Sequence, residues 1–360
     1  MPTPEYTPND GPTALVPAGD ALLALAGQAA NQHAAQNAVG DYLSRKAANT
    51  IRRQAADLQR LADFLDAIGD GIGARMARFA TAVRQFPDQQ PDPAAWQGVT
   101  WGLVEGFRNW MVGQGDAVGS VNVRLSTVKA YCKLAVKADA LDAQDYAMIR
   151  LVAGYAHKEG KRIDERRETT RRGLKKAQHV PISDKQARAL KRQPDTPQGR
   201  RDAVLMCLLL DHGLRCGEVA LLKVSDFDLK AGELRFYRPK VDLEQTHKLT
   251  ADTLRTLRAW FDSGDAPAAG PLLRGSRKSK AGDKLTGAGL TERAITARVR
   301  DLGQRIGLDG LSAHDCRHYW ATHWAGKVDP FRLQEAGGWA SLAMPRRYVQ
   351  AAEIANEGMA

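Results

Sequence analysis

Residues 314–320 read His-Asp-Cys-Arg-His-Tyr-Trp, "HDCRHYW", in an otherwise apolar neighbourhood. Two imidazoles, a guanidinium, a carboxyl and a thiol stand together there, and such groups are costly to bury without partners. On a helix His314 and His318 share a face. That is the ligand spacing of zinc-dependent proteases, but their pattern needs a glutamate directly after the first histidine, and Asp315 occupies that place. Cys316 falls on another face, and Cys132, Cys207, Cys216 and Cys316 form no Cys-x-x-Cys pair, so no metal is expected. His314 and Arg317 also share a face. An imidazole beside a guanidinium fork suits an anion with several oxygens, such as a phosphate. Taken alone, the plainer reading is a half-buried helix with a satisfied Arg–Asp pair, so the rest of the chain has to decide.

Further segments carry reactive groups in unusual settings. "DHGLRCGEVALL" (211–222) puts Arg215 and Glu218 directly after a greasy helix, with Gly213 and Gly217 beside the arginine. "YRPKVD" (237–242) puts Lys240 where a hairpin turns, "LQEAGGWASL" (333–342) presents Trp339 after two glycines, and "MPRRYVQ" (344–350) sets Tyr348 beside Arg346 and Arg347. Each has an ordinary structural explanation: an i, i+3 ion pair, a solvated lysine, a core indole, surface charge. An arginine pair beside a phenol also points to a lowered pKa.

Their order is what distinguishes them. Gly-Leu-Arg-x-Gly-Glu, a hairpin lysine, His-x-x-Arg-His, Gly-Gly-Trp and a late Arg-Tyr resemble the tyrosine recombinase (phage integrase) family, with a Cre-like or Xer-like two-domain architecture. The specific motifs cover about residues 180 to 352. The likeness extends more loosely over 40–160, which resembles that family's helical core-binding domain. The resemblance implies that Arg215 and Arg317 clamp the scissile phosphate, that His314 is the family's first histidine, and that Trp339 stands where many members have a second. It implies Tyr348 as nucleophile, with Glu218 and His318 in support. Lys240 corresponds to the hairpin lysine that protonates the leaving oxygen, but the usual glycines around it are absent and Lys248 is a rival. Also implied are strand cleavage and rejoining through a covalent 3′-phosphotyrosine, no metal or other cofactor, and double-stranded DNA as partner. The enzyme would be a homo-oligomer on DNA, a dimer on a site and a tetramer at synapsis. Two neighbouring readings are a type IB topoisomerase and a non-catalytic DNA-binding protein on the same fold.

The rest of the chain agrees with a polyanionic partner. Its 360 residues carry 52 Lys plus Arg against 41 Asp plus Glu, a net charge of +11, which suits nucleic acid. No apolar run is long enough to span a membrane, the proline-rich start lacks the basic region of a signal peptide, and four scattered cysteines fit a reducing cytoplasm. The expected location is cytoplasmic, with the nucleoid. The expected fold is mostly α with a small antiparallel sheet. A mobile or weakly helical tail is expected over 1–38, a helical DNA-binding domain over 39–156, a basic linker over 157–178, and an α+β catalytic domain over 179–360. The first strong helix starts near Asn49 or Thr50, with Ile51, Leu58, Leu61, Phe64 and Leu65 on one stripe. Another, 120–139, buries Val121, Leu125, Val128, Cys132 and Ala135 and carries Lys129, Lys133 and Lys137 as an i, i+4 ladder. Arg52, Arg53, these three lysines, and Arg171 and Arg172 of the linker are the DNA-contact candidates. Strands are expected near 233–239 and 245–250, and a Gly- and Lys-rich loop over 264–290.

Overall fold

A computed structural model describes residues 19–167, 179–277 and 284–352. The chain divides into two compact units, Met1–Lys176 and Ala177–Ala360.

The described part of the first unit is helical: α1 (Gly19–Ser44), α2 (Ala48–Ile68), α3 (Ala74–Arg84), α4 (Trp101–Gly113), α5 (Val118–Lys137), α6 (Ala143–Leu151) and α7 (His157–Glu165). α5 is the centre of this unit, because its apolar stripe recurs every three to four residues and Val121, Leu125, Val128, Tyr131, Cys132 and Ala135 are all buried. α2 starts earlier than expected. Ala47 is its N-cap, so Asn49 and Thr50 lie inside the first turn, while Gly69 ends it as its spacing indicated. The segment 19–38 is helical, the second of the two states expected for it, and its helix runs on to Ser44. One expectation needs correcting. Residues 157–165 form α7 instead of linker: a Cβ at Gly160 would come within 2.7 Å of Val118 Cγ1, and the Val118 N–H donates to Asp164 at 3.1 Å. Close approach at a glycine and a helix-start hydrogen bond dock this polar segment where apolar residues are scarce.

The second unit comprises α8 (Asp184–Lys191), α9 (Pro197–Leu210), α10 (Cys216–Leu221), β1 (Phe227–Asp228), β2 (Glu233–Arg238), β3 (Leu243–Lys248), α11 (Ala251–Asp262), β4 (Arg274–Arg277), β5 (Lys284–Gly289), α12 (Glu292–Gln304), α13 (Ala313–Ala325), α14 (Pro330–Gly337) and α15 (Ala343–Ala352). α9 is buried on all sides from Arg201 to Leu210 and forms the core of the unit. The order β1-β2-β3 makes one antiparallel sheet, with Arg238 opposite Leu243 and Glu233 opposite Lys248. A second antiparallel pair, β4–β5, stands where a plain loop was expected.

Candidate active site

A short turn, residues 211–215, joins α9 to α10, whose N-cap is Arg215. The Glu218 carboxylate accepts from the Arg215 backbone N–H at 2.8 Å and from Arg215 Nη1 at 2.7 Å. Glu218 is only 3% exposed, so this is a held ion pair, unlike a solvated one. Arg215 Nη2 donates onward to the Gly338 carbonyl at 3.0 Å.

α13 delivers the second arginine. Arg317 is 3% exposed and donates to the carbonyls of Gly213 and Gly337. Asp315 caps its own helix, accepting from the Ser312 N–H and Oγ at 2.7 Å each, and accepts from the Val180 N–H at 3.0 Å. The Arg317 guanidinium lies 4.8 Å from the Trp339 ring centroid. Burial, with help from Arg215, pushes its pKa down to about 9, so it stays charged at neutral pH. His314, one turn earlier, is exposed at the start of the same helix.

The turn after α14 joins the two arginines. Gly338 is its C-cap at φ 56°, the left-handed conformation that glycine adopts without cost, and a Cβ there would meet Arg238 Cδ at 2.6 Å. That neighbour is a residue that the sequence reading missed. Arg238, at the end of β2, has no exposed surface. It donates to both Glu218 oxygens at 3.0 and 2.9 Å and to the Ala336 carbonyl at 2.7 Å.

Tyr348, on α15, is 3% exposed. Its ring lies 5.6 Å from Trp339 at 30° and meets the edge of His318 at 4.8 Å and 77°. Burial raises the phenol's pKa, and Arg317 and Arg347 pull it back only in part, so the lowering expected from the adjacent arginines does not win. The resting Tyr348 side chain is a neutral phenol.

The two lysines sit at opposite ends of the hairpin. Lys240 is exposed in the four-residue turn after β2 and lines a cavity of about 630 Å³ together with Phe331, Gly338 and Trp339. Lys248 ends β3, paired across the ladder with Glu233 by a 2.9 Å ion pair. Strand rise puts the two ends of the hairpin about 17 Å apart.

The DNA-contact candidates of the first unit are not gathered in this way. Arg53 bonds Asp57 at 2.5 Å and Thr127 at 3.1 Å, tying α2 to α5. Lys129 bonds the carbonyls of Arg150, at 3.0 Å, and Val152, so it caps the end of α6 and its pKa is lowered by burial and by Arg108. Arg52, beside Asn49, and Lys133 and Lys137 face solvent. Arg171 and Arg172 lie outside the described residues. Among the described residues no group of three His, Cys, Asp or Glu side chains forms a metal cluster, and no helix is long and apolar enough to cross a membrane.

A model of the phage integrase family matches residues 181–354. The tyrosine recombinase XerC of Pelobacter propionicus is 31% identical over 180 residues, 48% of this chain and 57% of that protein. That of Chlamydia muridarum is 27% identical over 295 residues, 79% of this chain and 82% of that protein. For most of the curated relatives it matches, the chain spans about half their length. Among solved structures, the Tn1549 transposon integrase in complex with a circular intermediate DNA superposes with a TM-score of 0.52 at 14% identity, over 81% of this chain and 94% of that one. A lambda integrase dimer bound to a COC′ core site gives 0.50 at 15% identity, over 85% and 78%. At such identities the likeness is one of fold. Family model, relatives and fold agree on the second unit: residues 181–354 form a phage integrase family domain, similar to that of the tyrosine recombinases.

Proposed function

We propose that the protein is a site-specific DNA recombinase that cleaves and rejoins strands through a covalent 3′-phosphotyrosine at Tyr348. The observation that carries this is a charge imbalance. Three guanidiniums, Arg215, Arg238 and Arg317, gather around one carboxylate, Glu218. A phosphodiester passing through a pentacoordinate transition state supplies the missing negative charge, and forks fixed in advance on carbonyls lose little reorganisation energy in meeting it.

Within that scheme Arg238 and Glu218 are the frame, and Arg215 and Arg317 face the phosphate. His314, exposed at the helix start, and the Trp339 indole add donors to the nonbridging oxygens. The Tyr348 phenol loses its proton to solvent as its oxygen attacks phosphorus, the phosphorus–5′-oxygen bond breaks, and Lys240 gives the departing oxygen a proton that solvent then restores. Rejoining runs the same steps in reverse, so the bond energy is kept in the phosphotyrosine. Double-stranded DNA is the substrate. A dimer on each site and a tetramer at synapsis, in the cytoplasm with the nucleoid, complete the reading. Arg52, Lys133 and Lys137 remain candidate phosphate contacts of the first unit.

The test is covalent capture. DNA crosslinked to the wild-type protein is recovered and sequenced, and the recovered duplex, nicked beside the cleavage point, is used as substrate. Wild type should accumulate a protein–DNA adduct, and Tyr348→Phe should form none while binding the duplex with nearly unchanged affinity. Adduct formation by the Phe variant would remove Tyr348 from the role. A wild-type protein that relaxes supercoiled plasmid but never joins two sites would favour a topoisomerase.

A further inference from the structure

The phenol of Tyr348 is oriented by two rings, Trp339 and His318. His318 is weakly anchored by hydrogen bonding: Thr322 lies 3.5 Å from its Nδ1, the long limit for such a bond. Its support is a third ring. His179 stacks on His318 with centroids 4.0 Å apart and planes within 12°. This stack is built into the unit. The next residue, Val180, donates its N–H to Asp315, and the same carboxylate caps α13 through Ser312. A buried anion thus fixes the chain carrying His179 in register with the helix carrying His318.

We propose that His179 is a positioning residue for Tyr348: its stack on His318 holds the phenol in line for attack. This rests on Tyr348 being the nucleophile. A displacement of the nucleophile by an ångström costs up to about 100-fold in rate, so a ring that fixes a ring has kinetic weight without touching DNA. Burial lowers the pKa of His318, with His179, His314 and Arg347 adding to it and Asp315 opposing them.

Two variants and two readouts test this in the full chain. His179→Ala removes the stack from an exposed position, whereas His179→Phe keeps a flat ring without a charge. On the nicked duplex, His179→Ala should slow adduct formation between about 10- and 100-fold, and His179→Phe should restore most of it. The second readout needs no DNA. With 3-fluorotyrosine at position 348, the fluorine resonance reports the His318 ring beside it. Its acid titration step should move to higher pH in both variants, because a like-charged neighbour is gone. Its resonance position at neutral pH should shift in the Ala variant only. An Ala variant within twofold of wild type in adduct rate overturns the proposal, as does a Phe variant as slow as Ala. If wild type forms no adduct, the nucleophile assignment fails instead. An unchanged fluorine resonance in His179→Ala then overturns the positioning contact separately.

Discussion

Lys240 and Lys248 differ by position on one hairpin, and leaving-group chemistry separates them. A general acid matters only when the departing oxygen is poor. A duplex with sulfur in place of the bridging 5′-oxygen leaves without a proton. Lys240→Ala should therefore be slow on normal DNA, by about 10²- to 10⁴-fold, and near wild type on the sulfur substrate. Lys248→Ala should be near wild type on both, since its ammonium serves a surface ion pair with Glu233 that is worth little. Rescue of the Lys248 variant alone would reverse the assignment. Arg215, Glu218, His314, Arg317, Trp339 and Tyr348 were legible as site candidates because they sit in ordered motifs. Arg238 was not, because a cation beside a turn reads as solvated. Yet Leu234 and Phe236 point inward, and period-2 alternation sends Arg238 the same way. Its partners, Glu218 and the carbonyls after α14, are far away in sequence, which is why local pattern alone could not show that it was satisfied. Lys129 was misleading for the same reason: an exposed-looking ladder position faces the end of α6.

At the scale of elements, apolar patterning announced α2, α5 and α9, because burial of one stripe or of a whole helix sets those patterns. The β4–β5 pair gave no such signal. "RGSR" and "KLTGAG" lack alternating apolar residues, and the pair's place is set by backbone pairing and by the Leu290 N–H bonding to Leu273. α7 was hidden by its charge and is docked by Gly160 and Asp164. Between β3, α9 and α11 lies a histidine pair with a consequence for stability. His212 bonds Thr253 at 3.1 Å, and burial lowers its pKa to about 4. His247 packs 5.8 Å from it, its Nε2 is buried without a hydrogen-bond partner among the described residues, and burial, His212 and Arg238 lower its pKa to about 3. Above pH 6.5 both rings are neutral folded or unfolded, and they cost nothing. As pH falls below 6.5 the unfolded chain takes protons that the folded chain refuses, so stability drops by up to about 1.4 kcal/mol per pH unit per histidine. Urea unfolding of the second unit should show a loss of roughly 3–5 kcal/mol between pH 7 and 4.5. His212→Gln should flatten that slope, and an unchanged slope in this variant would remove His212 from the acid response.

For the whole molecule the deciding quantity is charge. The stretch 157–176 holds nine Lys or Arg against four acids, so it supplies five of the eleven net positive charges. In the first unit Arg53 and Lys129 are already engaged, so under the proposed function a large part of the phosphate neutralisation is expected from residues such as Arg171 and Arg172. With about eight phosphate contacts per protomer, log K for DNA should fall with log salt at a slope of about −7. A 30-base-pair duplex of arbitrary sequence serves as probe, because phosphate contacts are blind to sequence. Arg171→Gln with Arg172→Gln should make the slope shallower by about 2 and weaken binding similarly on every sequence tested. A wild-type slope near −2 would mean that the excess charge is not spent on DNA. A wild-type slope of about −7 that the double variant leaves unchanged would move those contacts to Arg52, Lys133 and Lys137, the solvent-facing cations of the first unit.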